Sequence, residues 1–147
     1  MNIMHIGLTV TDLNRSVAFY RDVLGLTYVG KLTMEGEETD KLFGMSGCRA
    51  EVGYLKCEGE TEGPLIELIQ LNHTEKVLPD LFRTGISEVC FEVKDMGAFT
   101  EKLKAHHVSL LSEPQPFDFT GDGFGRSTAL YFRDPDGIIL EAMENKS

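Results

Sequence analysis

One histidine and three glutamates stand at the beginnings and in the interiors of strand-like segments, and together they could hold a metal ion. His5 opens the segment HIGLTV, and Glu88 opens EVCFEV. Glu67 and Glu141 lie among aliphatic residues in PLIELIQL and GIILEAME. A carboxylate among aliphatic side chains is costly unless it is paired or binds a metal. If the segments converge on one cleft, His5, Glu67, Glu88 and Glu141 are its predicted metal ligands.

Each of these residues also has an ordinary structural explanation. A histidine near an N-terminus is often a surface or hydrogen-bonded residue. Glu67 and Glu141 could be charges that protect a sheet edge from aggregation, and Glu88 could simply be the polar first residue of a strand. A shared site is favoured because each half of the sequence places one candidate at its first strand and one at its last.

The halves are recognisable because the sequence repeats itself at an offset of 83 residues, which carries His5 onto Glu88 and Asp12 onto Asp95. Each half begins with a short strand, places an aspartate at a predicted helix N-cap and continues into an amphipathic helix. Gly25 is positioned to end the first helix. Further strands are predicted at 27–32 and 50–57 in the first half, and at 108–112 and 127–132 in the second.

Each half therefore reads β-α-β-β-β, and the segment DPDG at 134–137 predicts a tight turn before the last strand. The predicted fold is α+β, with two βαβββ modules paired around a metal-binding cleft. Module 1 spans about 1–72, a linker about 73–84 and module 2 about 85–147. Modules of this size have small cores, so we expect them to pack into a single domain over 1–147.

Composition and charge narrow the class of function. The net charge of −10 argues against nucleic acid as a partner. No apolar run approaches the ~20 residues of a membrane helix and no signal peptide is recognisable, so no membrane partner is expected. Three cysteines without paired spacing predict reduced thiols and a cytoplasmic protein.

The segments HIGLTVTDLNRSVAFYRDVLGL, PLIELIQL and LYFRDPDGIILEAME resemble the vicinal oxygen chelate superfamily. This superfamily includes glyoxalase I, methylmalonyl-CoA epimerase, extradiol dioxygenases, and fosfomycin and bleomycin resistance proteins. The resemblance implies paired βαβββ modules, a homodimer, and one divalent metal ion per site. Mn, Ni, Fe, Mg and Zn are the candidate ions. The implied ligands are His5, Glu67, Glu88 and Glu141.

The resemblance also implies a small-molecule substrate and a reaction. A divalent ion binds two neighbouring oxygens of the substrate and acts as a Lewis acid, while a carboxylate takes a proton from the adjacent carbon to give an enediolate. Glu141 is the implied base. Glu67 or Glu88 would return the proton from the opposite side of the substrate, and Glu67 is taken as the second catalytic residue. The expected activity is that of a metal-dependent isomerase, epimerase or lyase of the glyoxalase I (lactoylglutathione lyase) type.

Three positions depart from the pattern of relatives. Thr9 and Leu71 stand where bacterial glyoxalase I enzymes usually carry an arginine and an asparagine, so a plain glutathione adduct is disfavoured as substrate. Glu88 stands where histidine is common, which removes the two-histidine, one-carboxylate set of iron oxygenases. The alternatives are a non-catalytic resistance protein that binds a small molecule or drug, and an extradiol-type dioxygenase.

The substrate pocket is predicted from side chains beside the four ligands and from two long loops. The loops GEETDKLFGMSGCRA and PQPFDFTGDGFGR supply Phe43 and Phe119, although such aromatics can also form a satellite core under the loops. Arg49 and Arg126 are candidates for holding an anionic group, and Cys90 is interpreted as a lining residue. The predicted pocket consists of Thr9, Phe43, Leu65, Ile69, Cys90, Phe119, Arg126 and Met143.

Overall fold

The computed structural model describes residues 1–59 and 63–146 and divides into two compact units, Met1–Val77 and Leu78–Ser147. Each unit contains one four-stranded mixed sheet with few helices, which confirms the predicted α+β fold of two βαβββ modules. The union of the modules into a single domain stays a prediction. No helix in the described ranges is long and apolar enough to cross a membrane.

The first unit has the strand order β1-β4-β3-β2, in which β1 and β4 are parallel and the other pairs are antiparallel. Its elements are β1 (His5–Thr9), α1 (Leu13–Ala18), a π-helical turn (Phe19–Val23), β2 (Thr27–Glu35), α2 (Glu37–Phe43), β3 (Arg49–Lys56) and β4 (Leu65–Leu71). As predicted, Gly25 follows the helical segment with a positive φ of 83°.

The second unit repeats this arrangement with the order β5-β8-β7-β6, in which β5 and β8 are the parallel pair. Its elements are β5 (Val89–Glu92), α3 (Met96–Ala105), β6 (Gln115–Phe119), a 3-10 turn (Thr120–Asp122), β7 (Gly125–Arg133) and β8 (Ile139–Lys146).

Strand alternation separates a helix-covered face of each sheet from an open face. In β1, Leu8 is buried while His5 and Thr9 are exposed. In β4, Leu68 is fully buried and its neighbour Glu67 points to the other face. The apolar face receives α1, which packs so closely on Gly53 of β3 that an added Cβ there would lie 3.2 Å from Leu13 Cδ1.

The internal repeat extends to the hydrogen bonds that start each main helix. Asp12 and Asp95 act as N-caps, accepting hydrogen bonds from backbone N–H groups three residues later at 2.9 and 2.8 Å. In each unit, a side chain of the closing strand, which is β4 in the first unit and β8 in the second, accepts a hydrogen bond from the N–H group of the first helical residue. Leu13 N donates to Gln70 at 2.7 Å, and Met96 N donates to Glu144 at 3.2 Å. Each closing strand is thereby tied to the helix on its apolar face.

One strand prediction is wrong. Residues 108–112 form no strand, and only Leu110 makes an isolated bridge to Phe132. The strand is instead β6, which lies in the segment predicted as a long loop. Pro116 made that segment unlike a strand because proline cannot donate a ladder hydrogen bond. β6 tolerates it because β6 is an edge strand that pairs on one side only.

The predicted DPDG turn is confirmed, and it fixes the register of β7 against β8. Asp134 Oδ1 accepts hydrogen bonds from the N–H groups of Asp136 and Ile138, both at 2.9 Å, and Gly137 has a φ of 84°. Asp134 is only 5% exposed, so these bonds are largely shielded from water. Counting outward from this turn pairs Tyr131 with Glu141.

We expect Asp134→Ala to lower the free energy of unfolding by about 2–3 kcal/mol, because two shielded N–H groups lose a charged acceptor. Asp134→Asn keeps an oxygen at the same position and is expected to lose less than half as much. Urea unfolding followed by circular dichroism measures both variants. Equal losses in the two variants would show that the side-chain oxygen does not organise this turn.

Candidate active site

In the first unit, the candidate carboxylate is held in the middle of the sheet. Glu67 lies on β4, with Gly7 of β1 paired on one side and Tyr54 of β3 on the other. Gly7 lies directly beside the carboxylate, and an added Cβ there would be in ordinary van der Waals contact with Glu67 Oε1 at 3.7 Å. His5 Nε2 lies 3.4 Å from Glu67 Oε2, and its ring meets the Tyr54 ring edge-on at 6.3 Å. His5, Tyr54 and Glu67 thus form one polar cluster on the open face.

Tyr54 is bound to this carboxylate. Its hydroxyl donates a hydrogen bond to Glu67, and this bond, together with burial and the negative charge, raises the pKa of Tyr54 to about 12. Tyr54 is therefore a neutral donor at physiological pH. It occupies one of the acceptor sites of Glu67 and restricts the orientation of the carboxylate.

The second unit builds the corresponding position with different neighbours. Glu141 lies on β8 between Cys90 of β5 and Tyr131 of β7, and it is 9% exposed. The Cys90 thiol donates a hydrogen bond to Glu141. Glu88 directly precedes β5, and its charge acts on both Cys90 and Tyr131. Glu88 and Glu141 therefore share this part of the open face with Glu92, whose charge also acts on Cys90.

The neighbouring protonated groups respond to this negative charge. Although Cys90 is exposed as a residue, partial burial of its thiol, the hydrogen bond to Glu141 and the surrounding carboxylates raise the pKa of Cys90 to about 12. Burial, then the charges of Glu141 and Glu88, also raise the pKa of Tyr131. Cys90 is consequently no thiolate nucleophile, and its role as a lining residue stays a prediction.

Each unit thus supplies two of the four predicted ligands, His5 with Glu67 and Glu88 with Glu141. An imidazole nitrogen and carboxylate oxygens suit the divalent ions considered above. Across residues 1–59 and 63–146, no group of three or more His, Cys, Asp or Glu side chains is close enough to hold a metal ion. The four-residue ligand set stays a prediction.

A cavity of about 140 Å³ lies on the open face of the second unit, against Glu141. Phe117 rather than the predicted Phe119 lines it, and Phe119 stacks on Phe117 with ring centroids 5.5 Å apart. The lining also includes Ser112, Gln115, Ala129 and Tyr131, none of which the sequence analysis selected. Tyr131 could have been found by counting residue pairs back from the DPDG turn.

The two candidate arginines are already engaged with carboxylates. Arg126 Nε donates to Asp118 at 2.9 Å across the β6–β7 pair. Arg49 binds Glu51 at 2.7 Å and also Glu35. An anionic substrate group would have to compete with these partners, so the structure gives the arginines a role in strand pairing.

The remaining predicted pocket residues fall into two groups. Leu65 and Ile69 flank Glu67 on β4, Thr9 pairs with Ile69, and Met143 follows Glu141 on the same face of β8. Phe43 is the last residue of α2, and 37% of its surface is exposed. It belongs to none of the strands that carry the other predicted pocket residues. Their contact with a substrate stays a prediction.

The chain belongs to the glyoxalase/bleomycin resistance protein/dioxygenase superfamily, whose family model matches residues 2–142. It is 31% identical over 148 residues to a lactoylglutathione lyase from Haemophilus influenzae, covering 100% of this chain and 95% of that protein. The expected superfamily is therefore confirmed.

Solved structures agree with this assignment at the level of the fold. A glyoxalase family protein from Bacillus cereus superposes with a TM-score of 0.85 at 18% identity, covering 100% of this chain and 95% of that one. The fosfomycin resistance protein FosX from Listeria monocytogenes, complexed with Mn(II) and sulfate, gives a TM-score of 0.61 at 18% identity, covering 99% and 93%.

The surroundings of Cys90 predict unusually slow alkylation in metal-free protein. A pKa of about 12 in place of 9.0 reduces the thiolate fraction at pH 8 about a thousandfold. We therefore expect iodoacetamide to modify Cys90 at least about a hundredfold more slowly in the folded protein than in urea, with a rate that still rises with pH above 9. Peptide mapping by mass spectrometry separates Cys90 from Cys48 and Cys57.

A charge variant tests the part of the pKa shift that comes from Glu141, which follows burial as a cause. Glu141→Gln removes this charge and should accelerate alkylation of Cys90, while Glu101→Gln on the exposed side of α3 should leave the rate unchanged. Reaction of folded wild-type protein at the rate seen in urea would contradict the proposed environment.

Proposed function

We propose that this protein is a divalent-metal-dependent enzyme that moves a proton on a small substrate with two neighbouring oxygens. The observation that carries the proposal is the repeated placement of a carboxylate on the central strand of each sheet. Glu67 and Glu141 each lie beside a tyrosine on one neighbouring strand and beside a residue with a small side chain on the other. The proposed ligands are His5, Glu67, Glu88 and Glu141.

The ion would supply Lewis-acid polarisation of the substrate oxygens. Protein groups would carry the proton. Glu141 is the proposed base because its neighbours leave it more available than Glu67: it accepts from the thiol of Cys90, a weak donor, whereas Glu67 accepts from the hydroxyl of Tyr54. Glu141 would take the proton from the carbon next to the carbonyl, and Glu67 would act on the opposite side.

Lactoylglutathione lyase relatives support a lyase or isomerase reaction. Two positions nevertheless argue for a substrate other than a plain glutathione adduct. Thr9 and Leu71 stand where bacterial glyoxalase I enzymes usually carry an arginine and an asparagine. We propose a homodimer in the cytoplasm as the working form. The two ligand pairs would be joined either within a chain or across two chains.

Metal binding is the first test. We expect wild-type protein to bind one Mn²⁺ per chain in equilibrium dialysis. His5→Ala and Glu88→Ala should each weaken binding by at least about tenfold, because each removes a proposed ligand. Glu92→Gln is the matched control, since Glu92 lies on β5 and already accepts a hydrogen bond from Asn145 at 3.0 Å.

The outcomes separate the competing functions. Unchanged affinity in Glu88→Ala would reduce the site to three ligands. Wild-type protein that binds no divalent ion would overturn the proposal and favour a non-catalytic binding protein. Oxygen uptake dependent on Fe²⁺ would instead favour a dioxygenase.

Deuterium exchange tests the assignment of the base. Metal-loaded wild-type protein in D₂O should exchange the α-hydrogen of at least one compound in a panel of α-hydroxycarbonyl compounds, monitored by proton NMR. Glu141→Gln keeps an oxygen ligand but removes the base, so exchange should fall about 10²–10⁴-fold while most of the metal remains. Glu67→Gln should lose less. Full exchange by metal-loaded Glu141→Gln would assign the base to another group.

A further inference from the structure

The cavity beside Glu141 has a size and lining that define which substituent it can hold. Its volume is about 140 Å³, close to the ~150 Å³ of an apolar protein cavity known to admit benzene. Phe117 forms one wall of the cavity, and Tyr131 and Glu141 form the side nearest the proposed chemistry. Ala129 also lines the cavity, and the strand register places it between these two sides. One aromatic ring matches this space.

The wall of the cavity is a pair of stacked aromatic rings. Phe117 and Phe119 project from the same face of β6, and their rings are stacked with only 12° between their planes. Both remain substantially exposed, at 42% and 45%, so an apolar surface faces solvent beside a buried carboxylate. Covering Phe117 with an aromatic group would remove this apolar surface from water.

The space beside Phe117 is open because the residue at position 129 is alanine, which has a small side chain. Ala129 pairs with Gln115 on one side and Met143 on the other, one row along β7 from the pair of Tyr131 and Glu141. A larger side chain at Ala129 would project into the space next to Phe117. The cavity therefore depends on a short side chain at this position.

We infer that the substrate carries an aromatic ring next to its vicinal oxygens, with the ring against Phe117 and above Ala129. This inference rests on the proposed function, because Glu141, the proposed base for the carbon next to the carbonyl, is one of the residues that line the cavity. The ligand class is a neutral aryl-substituted hydroxycarbonyl compound. An anionic ring substituent is disfavoured because Glu88 and Glu141 both place negative charge here.

Two probes isolate the contribution of the ring. 2-Hydroxyacetophenone and hydroxyacetone present the same two oxygens and differ by phenyl against methyl. We expect Mg²⁺-loaded wild-type protein to bind 2-hydroxyacetophenone at least about tenfold more tightly, from the extra apolar area buried. Protein NMR titration measures both affinities, and the Ala129 methyl resonance should shift with the aromatic probe only.

Variants assign the preference to this cavity. Phe117→Ala removes the wall and Ala129→Ile fills the space, so each should reduce the preference to about threefold or less. Phe124→Ala is the matched control, because Phe124 is 85% exposed and is not among the cavity-lining residues. Equal affinity for the two probes in wild-type protein, or a preference that survives in both cavity variants, would overturn the inference.

The same titrations without metal separate this inference from the proposed function. If only the metal chemistry is wrong, Mg²⁺ will not alter either affinity, but the phenyl preference will persist in metal-free protein. If only the aromatic subsite is wrong, Mg²⁺ will strengthen both probes equally and no preference will appear.

Discussion

The register of the central strand in each sheet is the constraint on which the site depends. β4 and β8 each carry a glutamate on the open face, and the neighbouring strands decide what stands beside it. Since side chains alternate along a strand, a slip of one residue would turn either carboxylate into the helix-covered core, where an unpaired charge is expensive. The DPDG turn and the bonds from the closing strands to the helix N-termini hold that register.

The two modules use one framework for different chemical environments. In the first, Gly7 lies beside Glu67 on one neighbouring strand, and Tyr54 and His5 approach the carboxylate. In the second, Cys90 occupies the place of Gly7, and Glu88 adds charge where the first module has His5. The duplicated backbone therefore yields one carboxylate restrained by a strong donor and another with a weak donor, which is a physical basis for giving them different roles.

The proposed chemistry and the proposed aromatic recognition come from two strands of the second sheet, β8 and β6, which are separated by β7. Glu141 is on a central strand, where pairing on both sides fixes its position. Phe117 is on the edge strand β6, which contains a proline and keeps every residue exposed. An edge strand can change its side chains with little effect on the core, so β6 is suited to determine which substituent is accepted while the central strand keeps the reactive group in place.

Local periodicity and turn chemistry are enough to predict the repeat, both aspartate caps, the DPDG turn and the strands that carry Glu67 and Glu141. The same reasoning fails at β6, where Pro116 and the glycines of the following turn outweigh a weak strand pattern. No local pattern shows that Tyr54 and Tyr131 lie beside the two glutamates, or that Phe117 rather than Phe119 lines a cavity over Ala129. Those facts depend on pairing between strands distant in sequence, whose relative shift is set by turns and packing rather than by the residues of either strand alone.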